Sequence, residues 1–150
     1  MWILDTSSNV GKMSPIQMAI LMEYAKAGKN NPLKITDVMA ILERSFENFW
    51  LPKKGTIYPA VHNLHMRGFL KMHAIKPYGY SITPQGTQAI LQIISNINKQ
   101  MQIYMRYYSY LLDSFAEINS EKAFTIKRAL LDSFEGFLKV QKSTLKKKRL

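Results

Sequence analysis

The sequence predicts a mainly α-helical protein that carries one small β-hairpin and continues into long C-terminal helices. Apolar residues recur at helical spacing in three short segments of the N-terminal half. The spacing changes to strand-like alternation between Phe69 and Thr83, and a strict seven-residue repeat begins at Ile90. An apolar content of 47% in 150 residues is enough to build a core, so a folded chain is expected.

Two short helices open the predicted N-terminal domain. Ser14-Pro15 supplies a hydroxyl cap and a proline at the first helical position, and Gly28 marks the end of this helix. Thr36 is expected to cap the second helix, with Asp37 in its first turn.

The third helix and the hairpin follow. The helix is predicted to start near Lys54 to Thr56 and to run to about Arg67, with Gly68 behind it. Strands are predicted at Phe69 to Ile75 and at Tyr80 to Thr83, joined by the turn signal Lys76-Pro77-Tyr78-Gly79. Three short helices and then a β-hairpin is the order of a winged helix-turn-helix domain.

The C-terminal half predicts a dimerisation region. A single helix from Pro84 to Ile118 would be about 52 Å long at ~1.5 Å per residue, far longer than a small domain covers. Its heptad seam predicts a coiled-coil-like contact between two chains. The seam consists of Ile90, Ile97, Tyr104, Leu111 and Ile118 in one column and Ile94, Met101, Tyr108 and Phe115 in the other.

A last helix is expected from about Ser120, as its cap, to Val140, with Phe124, Leu131 and Leu138 spaced by sevens. A basic tail is expected to follow it. The predicted organisation is therefore a winged helix-turn-helix domain at 1–86, a helical dimerisation region at 87–141 and a basic tail at 142–150.

Charge is the first indication of function. The formal net charge is +11, and no acidic residue occurs between Glu47 and Asp113. That stretch holds five lysines and two arginines. A basic run can be a merely solvated face, but one this long without a carboxylate favours a polyanionic partner.

The third helix is predicted to read double-stranded DNA. Ile57, Val61 and Leu64, with Ala60 beside them, fall on a face that should pack inward. The opposite face holds Tyr58, Pro59, His62 and Met66, with Asn63 on its flank. A polar outer face behind a basic N-terminal end is typical of a helix in the major groove.

Each DNA-facing residue receives an expected role. We assign Lys53 and Lys54 to phosphate, His62 and Asn63 to base edges, and Tyr58 to either. The backbone N–H groups of Gly55 and Thr56 are expected to be free to hold a phosphate. The complete set of predicted DNA-binding residues is Thr36, Lys53, Lys54, Gly55, Thr56, Tyr58, Pro59, His62, Asn63, Arg67, Lys71, Lys76, Tyr78 and Tyr80.

Two motifs carry a family resemblance. One is Gly55-Thr56-Ile57-Tyr58-Pro59-Ala60-Val61-His62-Asn63-Leu64, continued by Arg67-Gly68-Phe69-Leu70; the other is Tyr80-Ser81-Ile82-Thr83-Pro84-Gln85-Gly86. In order and spacing they resemble the recognition helix and closing wing of the PadR-like transcriptional regulators. The resemblance covers roughly Pro15 to Gly86. It implies a homodimer on a near-palindromic operator, with C-terminal helices forming the dimer interface.

The resemblance does not extend to a small-molecule effector. Family members that bind such compounds do so in a pore of the dimer, some with a helix tryptophan. The helix after Pro84 has no tryptophan. Tyr104, Tyr107, Tyr108 and Tyr110 could line such a pore, but an aromatic stripe at heptad spacing is more typical of packing, so the existence of an effector stays open.

Other function classes are weighed against this interpretation. The chain has no cysteine, no glycine-rich phosphate loop and no paired-carboxylate motif, so we expect no enzyme, no metal site and no cofactor. We expect a soluble, cytoplasmic, nucleoid-associated protein without a membrane span. An architectural nucleic-acid binder and a winged-helix protein-interaction module stay open; sequence preference and salt dependence distinguish the three.

Overall fold

The computed structural model describes residues 11–47 and 53–148. Six helices and two strands occur in these ranges: α1 (Pro15–Ala27), α2 (Ile35–Ser45), α3 (Lys54–Met66), β1 (Leu70–His73), β2 (Gly79–Ile82), α4 (Pro84–Ser95), α5 (Ile97–Ala116) and α6 (Ser120–Lys147). The chain forms two compact units, Met1–Gln100 and Met101–Leu150. The predicted boundary between the DNA-binding domain and the dimerisation region, at residue 86, divides the chain by function and stays a prediction.

The first unit is built as the sequence predicts, with three helices packed under an antiparallel hairpin. Buried apolar side chains between Met13 and Ile93 form one continuous core, and Tyr24, Leu42 and Leu64 are among the deepest. The hairpin pairs Leu70 with Ile82 and His73 with Gly79. A mainly helical fold with a small hairpin, a winged helix-turn-helix followed by C-terminal helices, is therefore confirmed.

Helix starts follow the capping chemistry at α1 and differ from the prediction at α2. Ser14 Oγ accepts from the N–H of Gln17, whose side chain accepts from the N–H of Ser14, which closes a capping box. At α2 the prediction of a Thr36 cap is wrong. Lys34 is the N-cap and the helix begins at Ile35, two residues earlier than a Thr36 cap implies, because the Asp37 carboxylate accepts from the N–H of Lys34 at 3.0 Å.

The segment before α2 extends the hairpin. Leu33 and Tyr80 exchange two backbone hydrogen bonds of 2.9 Å each, so Leu33 pairs with the outer side of β2. Gly79, at φ 139°, lies so close to this segment that an added Cβ would overlap the Leu33 carbonyl. The base of the hairpin is thus tied to the helices beneath it.

The prediction of one helix from Pro84 to Ile118 is wrong. Asn96 separates α4 from α5, and its N–H is shared between the carbonyl oxygens of Gln92 and Ile93, each at 3.2 Å. The Ser95 hydroxyl also donates to Gln92 O at 2.8 Å. Ser and Asn bond readily to nearby backbone in this way, and that competes with regular helix at this point.

The second unit contains α6, which is longer than predicted. Asn119, rather than Ser120, caps it by accepting from the N–H of Lys122 at 3.0 Å. The helix also continues through the expected basic tail to Lys147. Lysine is a good helix former and is favoured near a helix C-terminus, where it faces the negative end of the dipole.

Candidate nucleic-acid interface

α3 presents two opposite faces, as predicted. Ile57, Val61 and Leu64 are fully buried and Ala60 is 8% exposed, so this face anchors the helix on the core. The exposed face carries Tyr58, Pro59, His62, Asn63 and Met66. Tyr58 is 42% exposed, so part of this residue is open to a partner.

The N-terminal end of α3 is basic and open to solvent. Lys53 is the N-cap residue and Lys54 the first helical residue, and both side chains are exposed. The prediction of a free N–H at Thr56 is wrong, because that N–H donates to Lys53 O at 2.9 Å. The N–H of Gly55 has no partner within the part of the chain that the structure describes.

Asn63 is held by a residue that the sequence reasoning missed. Its Oδ1 accepts a hydrogen bond of 3.0 Å from Gln17 Nε2, across 46 residues of sequence. The same Gln17 side chain caps α1 through Ser14, so the start of α1 is tied to the exposed face of α3. Hydrophobic spacing carries no signal for such a contact.

The hairpin, or wing, offers three of its four predicted DNA-binding side chains to solvent. Lys71, Lys76 and Tyr78 are exposed, whereas Tyr80 turns inward. The Tyr80 ring makes edge contacts with Tyr24 and His65, with ring centroids 6.4 Å and 5.6 Å away. The structure therefore gives Tyr80 a packing role in the joint between wing and helices.

Arg67, also predicted to bind DNA, is engaged within the chain. Its guanidinium donates to Lys12 O at 3.0 Å and lies 4.9 Å from the centre of the Phe69 ring. Partial burial lowers the pKa of Arg67. The arrangement ties the residues before α1 to the C-terminal end of α3.

Thr36, in the first turn of α2, is exposed.

Among the described residues, no carboxylate forms an ion pair with a lysine of α3 or the wing. Within residues 11–47 and 53–148 the two ion pairs are Lys26–Glu23 and Lys127–Asp113, and neither includes a residue of α3 or the wing. Lys53, Lys54, Lys71 and Lys76 are exposed and form no ion pair within the described residues, so they are open to an anionic partner. Such a surface attracts a polyanion by counterion release and holds it with a strong dependence on salt.

The predicted dimerisation seam is divided by the fold. Ile90 is 6% exposed and belongs to the core of the first unit, so a single chain already covers it. Ile94, Ile97, Met101, Leu111 and Ile118 are exposed in the single chain. The other seam residues, Tyr104, Tyr108 and Phe115, are half-buried.

The described ranges lack two other kinds of site. No group of three or more histidine or acidic side chains there is arranged to hold a metal ion. Over the same residues, every helix is too short or too polar to cross a membrane.

Comparison with known proteins identifies the fold. No family model and no curated protein matches the sequence. A transcriptional regulator from Clostridium thermocellum, Cth-833, is similar in structure at TM-score 0.51 and 16% identity, over 61% of this chain and 88% of that one. The hsRosR-S1 structure (TM-score 0.48, 16% identity, 71% and 96% covered) and SSV1 F-93 (0.41, 20%, 58% and 91%) are also similar. At these identities the likeness is one of fold alone, and the fold of this chain is a winged helix-turn-helix followed by C-terminal helices.

Proposed function

We propose that this protein is a sequence-specific, DNA-binding transcriptional repressor of the PadR-like kind that acts as a homodimer on a near-palindromic operator. The observation that carries the proposal is the exposed face of α3, which is polar, basic at its N-terminal end and free of carboxylates. It stands on a winged-helix core that holds it rigidly. Rigid support matters because base reading depends on side chains that reach the groove in a fixed geometry.

The binding mode follows from the positions of these side chains. α3 enters the major groove, where His62 and Asn63 meet base edges and Tyr58 meets a base or a phosphate. Lys53 and Lys54 neutralise phosphates where the chain enters the helix. Lys71, Lys76 and Tyr78 of the wing contact the backbone or minor groove beside it. No catalysis, metal or cofactor takes part in this function, which is exercised on chromosomal DNA in the cytoplasm.

The second copy is proposed from the apolar surface of the C-terminal helices. Ile97, Met101 and Leu111 of α5 are exposed in the single chain, as are Phe124 and Leu131 of α6. Large apolar side chains left exposed in this number favour an association surface. A second copy supplies the same apolar surface by symmetry, and two winged-helix domains then read two half-sites.

Selection of bound duplexes from fragments of the source genome tests the proposal. The full chain is expected to enrich a near-palindromic sequence and to bind it ~10³-fold or more tightly than scrambled DNA. Enrichment without such a preference, together with a steep salt slope, would instead show an architectural binder. Absence of DNA affinity near physiological salt would favour the interaction module. The sign of regulation is tested by transcription in vitro from a promoter that overlaps the selected site, where the bound protein should lower transcript yield.

The architectural alternative has one observation in its favour. Lys139, Lys142, Lys146 and Lys147 lie close together near the C-terminal end of α6, where they form a second basic patch. Deletion of residues 142–150 should lower the salt slope by up to ~0.9 for each phosphate that the shortened chain no longer neutralises. Under the proposed function, the ranking of sequences stays the same after this deletion.

A further inference from the structure

A short chain of hydrogen bonds fixes which end of the Asn63 amide faces outward. Ser14 N–H donates to Gln17 Oε1 at 2.9 Å, and Gln17 Nε2 donates to Asn63 Oδ1 at 3.0 Å. A backbone N–H can only donate, so the Gln17 atom opposite Ser14 must be the oxygen. The Gln17 atom opposite Asn63 is then the nitrogen, which can only donate, and Asn63 must accept with its oxygen.

We propose that Gln17 is a positioning residue that makes Asn63 read base edges as a hydrogen-bond donor. One lone pair of Oδ1 is held by Gln17, and the Nδ2 group, with two hydrogens, is left for the DNA. This inference rests on the proposed function, because it assigns a specificity to one residue of the α3 surface. Gln17 itself lies on α1 and acts through Asn63.

The base that this arrangement favours follows from the donor and acceptor pattern of the major groove. Guanine presents two neighbouring acceptors, O6 and N7, whereas cytosine presents a donor, its N4 amino group. Adenine, the usual partner of asparagine, needs both an acceptor and a donor from the amide. Because Gln17 binds Oδ1 and leaves both Nδ2 hydrogens for the DNA, the donor end of Asn63 is the end offered to the bases, and guanine is favoured over cytosine at the position that it meets.

The chain of bonds also predicts how to reverse the preference. A glutamate at position 17 accepts from Ser14 N–H with one oxygen, and its other oxygen cannot donate to Asn63. The Asn63 amide therefore turns over, so that Nδ2 donates to the glutamate and Oδ1 faces the DNA. The favoured base should then change from an acceptor to a donor, and cytosine N4 or adenine N6 takes the place of guanine.

Selection from a randomised duplex library, with the full chain and its variants, tests this inference. Asn63→Ala first identifies the base position that Asn63 reads, because the preference there is lost. Gln17→Glu should move the preference at that one position from guanine to cytosine or adenine, a change of about tenfold in relative affinity. Asn63→Asp should move it in the same direction, because its outward oxygen can only accept. The negative charge of each variant lowers affinity for all sequences and does not by itself rank the bases.

Gln17→Met is the neutral control, since it keeps the side-chain length without the hydrogen bonds. It should broaden the preference at that position without reversing it, and thermal unfolding shows whether the folded state survives each change. The inference is overturned if Asn63→Ala relaxes one position while Gln17→Glu and Gln17→Met leave the wild-type preference there. It is equally overturned if Asn63→Ala relaxes no position. Failure of the wild-type chain to select any sequence is a different result, because that overturns the proposed function itself.

Discussion

The first unit and helix α6 of the second use the same kinds of apolar residue in opposite ways. Leu64 of α3 is fully buried, whereas Leu131 of α6 is 60% exposed. Burial of apolar area drives folding, so α3 already has its stabilising contacts within one chain. The apolar residues of α6 have few such contacts within this chain. The contrast teaches that α3 is stabilised within one chain, whereas apolar side chains of α6 are left exposed in it.

Charge separates α3 and the wing from α6. No carboxylate lies in α3 or the wing, whereas Glu121, Asp132 and Glu135 of α6 accompany its lysines and arginines. A surface that carries only positive charges favours binding to DNA, whereas a surface with charges of both signs is compatible with contact to a second protein chain. The two regions are therefore assigned to different partners, DNA for the first and another copy for the second.

The same substitution in both regions should give the largest difference. Leu64→Ala removes a buried side chain and is expected to lower the free energy of unfolding by ~2–5 kcal/mol. Leu131→Ala should leave the unfolding of a monomeric sample nearly unchanged. Urea unfolding at several protein concentrations measures both. If Leu64→Ala and Leu131→Ala lower the free energy of unfolding equally, at every protein concentration, the distinction between the two regions is wrong.

A charge on the exposed surface of α5 should separate the two copies. Leu111→Lys places an ammonium group in the proposed interface, so the chain should become a monomer and lose about 100-fold in operator affinity with the second half-site. Light scattering and a binding titration give the two readings. Ser109→Lys, which adds the same charge to the same helix off the seam, is the control and should remain dimeric. A Leu111→Lys variant that stays a dimer would show that α5 lies outside the interface.

The exposed face of α3 should carry sequence preference. Asn63→Ala is expected to cost ~1–3 kcal/mol on the operator and little on scrambled DNA, and His62→Ala is its paired variant. Competition assays on both duplexes measure the difference. If both variants keep the full preference, α3 does not read bases and the architectural function becomes the better account.

The N-terminal end of α3 should carry affinity without preference. Lys54→Ala is expected to weaken binding to all sequences alike and to lower the slope of log affinity against log salt by ~0.9. Titrations at a series of salt concentrations measure it. Lys26→Ala, at a lysine already paired with Glu23, is the control and should leave the slope unchanged. A loss confined to the operator would assign Lys54 to a base.

The smallest effect concerns the core itself. The Tyr24 hydroxyl is buried without a hydrogen-bond partner in the ranges that the structure describes, and burial, with the nearby Tyr80 and Asp37, raises the pKa of Tyr24. Tyr24→Phe should therefore keep or raise stability, by up to ~1 kcal/mol. Because the folded state favours the neutral phenol, wild-type stability is fully present below the ordinary pKa of 10.0 and falls as pH rises above it. Tyr24→Phe should lack the loss of stability at high pH that ionisation of Tyr24 causes. If the variant is instead less stable than the wild type at neutral pH, the Tyr24 hydroxyl has a hydrogen-bond partner in the folded protein.

Local patterns predicted the parts of the fold that depend on neighbours in sequence. The spacing of Ile57, Val61 and Leu64 fixes the buried face of α3, and the residues opposite are exposed as a consequence. The Ser14 cap and the Gly28 stop are similarly local. The break at Asn96 was missed because the heptad repeat continues through it, and periodicity records side chains rather than backbone hydrogen bonds.

Contacts between distant segments lay beyond the sequence. The Gln17–Asn63 bond and the pairing of Leu33 with Tyr80 each join residues more than forty positions apart. Both depend on how the helices and the wing meet, and no local pattern encodes that. The inward turn of Tyr80 has the same origin, because a tyrosine on a short hairpin fits either side until its neighbours are known.

The mass of the complex between the full chain and its selected duplex tests the central claim most directly. Light scattering coupled to size exclusion should find two chains on one duplex, and in the absence of DNA a species of about twice the 17.3 kDa of the chain. That result requires both a DNA-binding first unit and an association surface in the C-terminal helices. A single chain on the duplex, or a free species of 17.3 kDa at micromolar concentration, would contradict the account.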